Sequence, residues 1–365
     1  MMMTKLTALI VLVGLLNACD FETTTNTTNS VEYANDKGEK TRYEIVETGD
    51  AATVTREHLG QIESYDINGL EMACRDGKPE ECIELGTAYE YSAKIFKAQP
   101  VIVQDDAEAG GPTPADRARS AIENAVEAFE QGCAGNVAEA CYRLGDMYFD
   151  GNDVDQDLIR AAGFYQESCH AGHATGCYNL GVLRLKGGIV SQDSVEAVAL
   201  FQRSCDGGFA DSCNNLGSLH LSGEGVGQDD TKAAEFYRLA CDGGNAMGCY
   251  NLGGLHHEGT AVVKDAVIAA GLYQQACNGG FAGGCNSLGY LHLNGEGVGQ
   301  DDAKAAELYL LACNGGDSNG CYNLGLLHER GAGVSEDLAK AKVFYQKACD
   351  AGDADGCSQV QALQN

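Results

Sequence analysis

The chain has 365 residues, with 53 Asp and Glu against 24 Lys and Arg, a formal charge of −29. That balance excludes a basic face for nucleic acid and electrostatic docking on anionic lipid. At 44% hydrophobic residues the chain has enough apolar side chain for a core, and its length allows two or three domains or one long repeat array. Among 48 Gly, 4 Pro, 17 Cys and no Trp, the cysteines are the informative feature.

Lys5, the apolar run over residues 6–16 and the small residues before Cys19 predict a signal peptide over 1–18. The run is too short for a spanning helix, which needs roughly 20 residues. Leu16-Asn17-Ala18-Cys19 resembles the lipobox of bacterial lipoproteins. That resemblance implies acylation of Cys19 and an anchored amino terminus, and Asp20 resembles an inner-membrane retention signal. An ordinary signal peptide cut near Ala18 is the alternative. Residues 19–57 then read as the acylated cysteine and a flexible polar tether, because a segment such as 21–30 (FETTTNTTNS) has almost nothing to bury. Residues 41–47 (TRYEIVE) show a weak strand-like alternation.

The other 16 cysteines form eight pairs, each eight positions apart. They are Cys74/Cys82, Cys133/Cys141, Cys169/Cys177, Cys205/Cys213, Cys241/Cys249, Cys277/Cys285, Cys313/Cys321 and Cys349/Cys357. From Cys133 onward the pairs recur every 36 residues, while the first interval is 59, which predicts an insertion at about 95–116. A fixed period of this size predicts stacked helical hairpins. Each period reads as a short helix opening at the second cysteine and a longer one closing at the next first cysteine. Asp157, Asp193, Asp229, Asp265, Asp301 and Asp337 recur as N-caps of the longer helices. Leu-Gly pairs such as Leu216-Gly217 mark the packed face of the short helix. Phe129, Tyr165, Phe201, Tyr237, Tyr273, Tyr309 and Tyr345 lie one turn before each loop-opening cysteine and read as core.

These columns, with Gly-x-Gly-Val turns and Tyr-x-x-Ala-Cys, resemble the Sel1-like repeat, a relative of the tetratricopeptide repeat. The C-x7-C pairs resemble its secreted cysteine-rich bacterial branch, the Helicobacter cysteine-rich protein type. The resemblance covers residues 58–365. It implies an all-α fold, an α/α solenoid with a right-handed superhelix and a concave groove.

A Gly-rich loop between two helices can bring paired cysteines within disulfide range, which an i,i+8 pair on one unbroken helix cannot reach. Each bridge closes a loop worth about 2.5 kcal/mol in the chain-entropy model. Oxidation calls for a compartment outside the cytosol. Zinc is the rival, but C-x7-C offers only two thiolates per site, so no metal or other cofactor is expected.

His220, His256, His292 and His328 form a further column, read as hydrogen-bonding residues near the middle of the packed face. Asn179, Asn215, Asn251 and Asn323, with Arg143 and Ser287 in register, lie two residues after a cysteine at the edge of that face. In related solenoids such Asn side chains bond an extended peptide, and an amide both donates and accepts. Capping of local loop amides is the alternative. No Ser-x-x-Lys, Lys-Thr-Gly or Gly-x-Ser-x-Gly signature occurs. The expected function is an envelope-anchored scaffold binding a protein or peptide partner with a basic patch. A weak penicillin-binding or β-lactamase-like enzyme is the alternative, on the family resemblance alone. The expected location is the bacterial envelope, facing the periplasm from either membrane, or secretion if Cys19 is not acylated.

Overall fold

A computed structural model describes residues 27–34, 40–48, 51–58, 61–98, 113–188 and 190–363. The expected signal peptide over 1–18, Cys19 and Asp20 lie outside the described residues, as do positions 99–112 of the insertion. The chain divides into two compact units, one ending at Gly176 and one beginning at Cys177.

The first unit opens with a four-stranded antiparallel meander in sequence order: β1 (Thr27–Ala34), β2 (Lys40–Thr48), β3 (Ala51–His58) and β4 (Gln61–Asp66). Within the span 19–57 expected to be a flexible tether, the described residues from 27 on form strands, and the first helix starts at Ile67. The physical reason is a terminal-repeat problem, since the first hairpin of a stack has an apolar face with no preceding hairpin to cover it. The sheet meets that face. Tyr43, Ile45, Ala52 and Val54 alternate inward and are buried, as are Ile67 and Leu70 of α1 (Ile67–Arg75). Tyr91 of α2 (Pro79–Ala98) packs 5.1 Å from Tyr43 and 5.9 Å from Tyr65, ring centre to ring centre. Lys94 Nζ sits 5.4 Å from the Tyr91 ring, a cation–π contact.

The same unit continues with α3 (Pro114–Ala134), α4 (Ala138–Asp150) and α5 (Leu158–His170), and α6 (Ala174–Lys186) contains the boundary. The 23 additional residues of the first interval lengthen the hairpin that they interrupt. Its helices α2 and α3 have 20 and 21 residues, against 13 for each helix from α4 to α15. The second unit holds α7 (Ser194–Asp206), α8 (Ala210–Ser222), α9 (Asp230–Asp242), α10 (Ala246–Glu258) and α11 (Ala266–Asn278). It ends with α12 (Ala282–Asn294), α13 (Asp302–Asn314), α14 (Ser318–Arg330), α15 (Leu338–Asp350) and α16 (Ala354–Ala362). The fold is the α/α solenoid class.

The expected short and long helices are corrected to equal lengths. Each even-numbered helix starts three residues ahead of its cysteine, and at α10, α14 and α16 the residue before it caps the helix with its side chain. Asn245 and Asp317 accept from the N–H of Gly248 and Gly320 at 2.6 Å. The aspartate column caps the odd helices as expected. Asp229 Oδ1 accepts from Lys232 N at 3.1 Å, and the Asp229 N–H donates to His220 O at 2.9 Å, closing the turn within the hairpin.

Packing inside a hairpin is ring on glycine. A Cβ on Gly145 would fall 2.5 Å from the Tyr165 ring, and one on Gly217 2.6 Å from the Tyr237 ring. The glycine therefore admits an aromatic ring. A second small column, Ala161, Ala197, Ala233, Ala269, Ala305 and Ala341, is fully buried and lets the helices close further.

The cysteines close the joints between hairpins. Seven bridges with Cα–Cα distances of 4.4–4.9 Å link Cys74–Cys82, Cys133–Cys141, Cys205–Cys213, Cys241–Cys249, Cys277–Cys285, Cys313–Cys321 and Cys349–Cys357. Cys169 and Cys177 are disulfide-bonded as well. Each loop turns through a left-handed residue such as Gly244 (φ +88°), whose N–H donates to Cys241 O at 2.9 Å.

Two substitutions at helical glycines separate packing from propensity. Gly217→Ala is expected to cost about 1–3 kcal/mol by pressing on Tyr237. Gly271→Ala, whose Cβ meets nothing within 4 Å, should stabilise by about 0.5–1 kcal/mol. Urea unfolding of the two variants measures both. Replacing Cys241 and Cys249 together by serine should cost about 2.5 kcal/mol in the same assay.

Candidate functional site

Helices α8, α10, α12 and α14 approach one another in the second unit, so their outward stripes lie side by side. On α10 the stripe is Tyr250, Asn251, Gly254, His257 and Glu258, at i, i+1, i+4, i+7 and i+8. Neither α8, α10 nor α12 contains a Lys or Arg.

Two kinds of junction alternate along this face. At one, the residue after the cysteine is aromatic. Tyr178 packs 4.9 Å from Phe209, and Tyr250 4.9 Å from Phe281. At the other it is an amide. Asn251 Nδ2 donates to Asn214 Oδ1 at 2.9 Å, and Asn323 Nδ2 to Asn286 Oδ1 at 3.0 Å. The asparagine column thus bridges neighbouring hairpins, a use the sequence did not reveal, since it pairs each Asn with a residue 37 positions earlier. Asn251 and Asn323 each give one N–H to this ladder and keep a second N–H and a carbonyl. Asn215 hydrogen-bonds the Tyr178 hydroxyl, and Asn179 and Ser287 are half-buried on the same face. Arg143, in register in the first unit, is committed elsewhere. Its Nη2 lies 2.8 Å from Glu90, and its guanidinium stacks over Phe129. Burial pushes the Glu90 carboxyl up, and Arg143 opposes that shift.

The tyrosines of the odd helices reach the even helix of their own hairpin with their hydroxyls. Tyr165 Oη donates to Asp146 at 2.7 Å, Tyr237 Oη pairs with Ser218 at 3.1 Å, and Tyr345 Oη donates to Glu329 at 2.5 Å. Where the odd helix carries Phe201, the facing residue is Val182, which needs no polar partner. At Tyr273 the facing residue is Gly254, and no described residue bonds the hydroxyl. Burial, then Tyr250 and Glu258, push the Tyr273 phenol up to about 12; burial and Tyr290 do the same for Tyr309.

The histidine column is at the edge of the packed face and not its middle. Nδ1 of His256, His292 and His328 lies 3.1–3.3 Å from the carbonyls of Val263, Gly299 and Ser335 in the hairpin turn. A carbonyl only accepts, so Nδ1 carries the proton. His220 is the buried member and stacks on Phe236.

Cys133, Cys141 and Glu167 are close enough together to suggest a metal site, but the two sulfurs are already bonded to each other and offer no thiolate. A cavity of about 80 Å³ in the first unit is lined by Glu71, Arg75, Tyr89, Glu127 and Gln131. It has room for a few waters, and the Tyr89 hydroxyl that borders it donates to Glu71. Buried serine hydroxyls are engaged between helices: Ser168 donates to Ala138 O at 2.9 Å, and Ser212 to Ser204 at 2.6 Å. No helix among the described residues is long and apolar enough to cross a membrane.

Against known proteins, the Sel1 repeat model matches six consecutive segments: 138–173, 174–209, 210–245, 246–281, 282–317 and 318–353. The chain belongs to the Sel1-repeat family. Among solved structures, c5321 of Escherichia coli, a protective antigen of uropathogenic strains with an SLR fold, is similar at 25% identity and a TM-score of 0.69. The match covers 82% of this chain and 59% of that one, so the present chain spans about three fifths of its length. A Sel1 repeat protein from Oxalobacter formigenes matches at 21% identity and a TM-score of 0.54, over 61% of this chain and 92% of that one. Helicobacter pylori cysteine rich protein B is 31% identical over 36% of this chain and 94% of that one, with a TM-score of 0.31. No curated protein matches the chain. Sel1 repeats generally mediate protein–protein interaction, and Sel1-repeat scaffolds are generally non-enzymatic. Disulfides at this density belong to an extracytoplasmic protein.

The raised phenols make stability sensitive to alkali. Tyr273 and Tyr309 have folded values near 12 against an ordinary 10, so the fold favours the neutral form. That contribution is complete below pH 10 and is lost as pH rises toward 12. Helical circular dichroism and phenolate absorbance recorded together should show unfolding and ionisation coinciding in that window.

Proposed function

We propose that the chain is a disulfide-stapled scaffold, anchored in a bacterial envelope through Cys19, that binds an extended segment of a protein partner along its even helices. The observation that carries this reading is the stripe of α8, α10, α12 and α14, where half-exposed amides stand in register with no Lys or Arg on the first three helices. Asn251 and Asn323 retain a donor and an acceptor at a spacing of two hairpins, and an extended backbone offers the same two groups at regular intervals. The acidic chain favours a basic partner, attracted over a distance set by the salt concentration. The lipobox-like Leu16-Asn17-Ala18-Cys19 supports the anchor, and two acyl chains hold more firmly than one.

Capture from envelope extract on immobilised, oxidised protein tests the scaffold. Retention of a specific protein at low salt, its release at high salt and a loss of about tenfold in affinity for the Asn251→Ala/Asn323→Ala double variant are expected. Equal retention by that variant, at unchanged melting temperature, would remove the even-helix face from the reading.

A further inference from the structure

The hydroxyl column of the odd helices is satisfied at Tyr165, Tyr237 and Tyr345 and lacks a described partner at Tyr273 and Tyr309, of which only Tyr273 faces a glycine. Tyr273 is only 5% exposed, yet its hydroxyl has no hydrogen-bond partner among the described residues. Its ring is buried, while its oxygen is not fully enclosed and still meets solvent. The group it faces is Gly254, where a Cβ would stand 3.9 Å from Tyr273 Oη and would meet nothing else within 4 Å. Gly254 thus lacks any contact that would require glycine, unlike its neighbour Gly253, whose Cβ would press on the Tyr273 ring at 2.9 Å. The missing side chain opens a path from the even-helix face down to the phenol oxygen.

The surroundings of that path select its occupant. Tyr250 lies 5.7 Å from the Tyr273 ring, and His257 stands edge-on at 6.5 Å from Tyr273 and 6.3 Å from Tyr290. Tyr290 is 47% exposed and has no aromatic partner other than His257 among the described residues. Two carboxylates border the group: Glu258, close enough to act on the Tyr273 phenol, and Glu296, 3.1 Å from His257 Nε2. Aromatic faces, an oxygen able to accept and nearby carboxylates, with no Lys or Arg on either helix, suit a cation and oppose an anion.

We infer that Gly254, Tyr273, Tyr290 and Glu258 form a pocket for the cationic side chain, Lys or Arg, of an extended partner segment whose backbone runs past Asn251. The cation donates to Tyr273 Oη and lies against the Tyr290 ring, while its charge is balanced by Glu258. This deepens the scaffold reading and rests on it, by giving one position of the partner segment a defined chemistry.

The test is titration of the oxidised full chain with the peptide Ac-Gly-Gly-Arg-Gly-Gly-NH2 and with its citrulline counterpart, which keeps the shape and removes the charge. Saturable binding of the Arg peptide, at least about tenfold tighter than the citrulline peptide, is expected. Tyr273→Phe, which keeps the ring and its packing, should weaken Arg-peptide binding about fivefold. Gly254→Leu, which fills the path, should abolish it with helical content unchanged. Equal binding of the two peptides, or Arg-peptide affinity unmoved by both variants, would overturn the pocket. Capture of a partner that stays sensitive to Asn251→Ala/Asn323→Ala while the Arg peptide fails overturns the pocket alone. Loss of that sensitivity overturns the scaffold reading itself.

Discussion

A hairpin of two 13-residue helices cannot bury its own apolar faces, and every other feature of this chain follows from that shortage. Each helix needs a neighbour on both sides, so stability lives in the joints between successive hairpins. The joint is also the place where a repeat array is most easily pulled apart, since little surface there protects the connecting loop. A disulfide across that loop, between the last turn of one helix and the first turn of the next, restricts the unfolded chain where the folded chain has least to offer. The ring-on-glycine contact then secures each hairpin internally. Covalent and packing constraints thus divide the work, one between hairpins and the other within them.

The start of the helical array shows what covers a hairpin that no other hairpin precedes. Before α1, four strands supply the cover, with Ile45 and Val54 standing where a preceding helix would place its leucines. At α16 the Leu-Gly pair of earlier repeats becomes Val360-Gln361. Val360 is still buried against Tyr345.

Most of the fold was legible because its determinants are periodic. Cysteines, cap aspartates, Leu-Gly pairs and the aromatic column each repeat in register, and every repetition confirms the others. The sheet was hidden because its signal is short and unrepeated. Tyr43 and Ile45 gave the alternation, but the three strands that complete the sheet are rich in Thr and Glu, which read as solvated. The candidate site was half legible. Asn251 and Asn323 stood out by column, whereas the break at Tyr273 requires knowing that the tyrosine hydroxyl reaches the residue five after the cysteine of the preceding helix. Sequence gives the ring a place in the core and says nothing of where its oxygen ends. The histidines illustrate the same limit, because the bond from His256 to Val263 depends on how the turn folds back.

The junctions on the even-helix face alternate between aromatic and amide, Tyr178 with Phe209, then Asn214 with Asn251, then Tyr250 with Phe281, then Asn286 with Asn323. The true structural unit in this stretch is therefore two hairpins, 72 residues, and not one. A duplication or excision of a pair would leave every junction with a matching partner. Loss of the α10–α11 hairpin alone would instead put Ser287 in the place of Asn251 opposite Asn214. Lineages carrying this pattern are thus expected to change length by even steps.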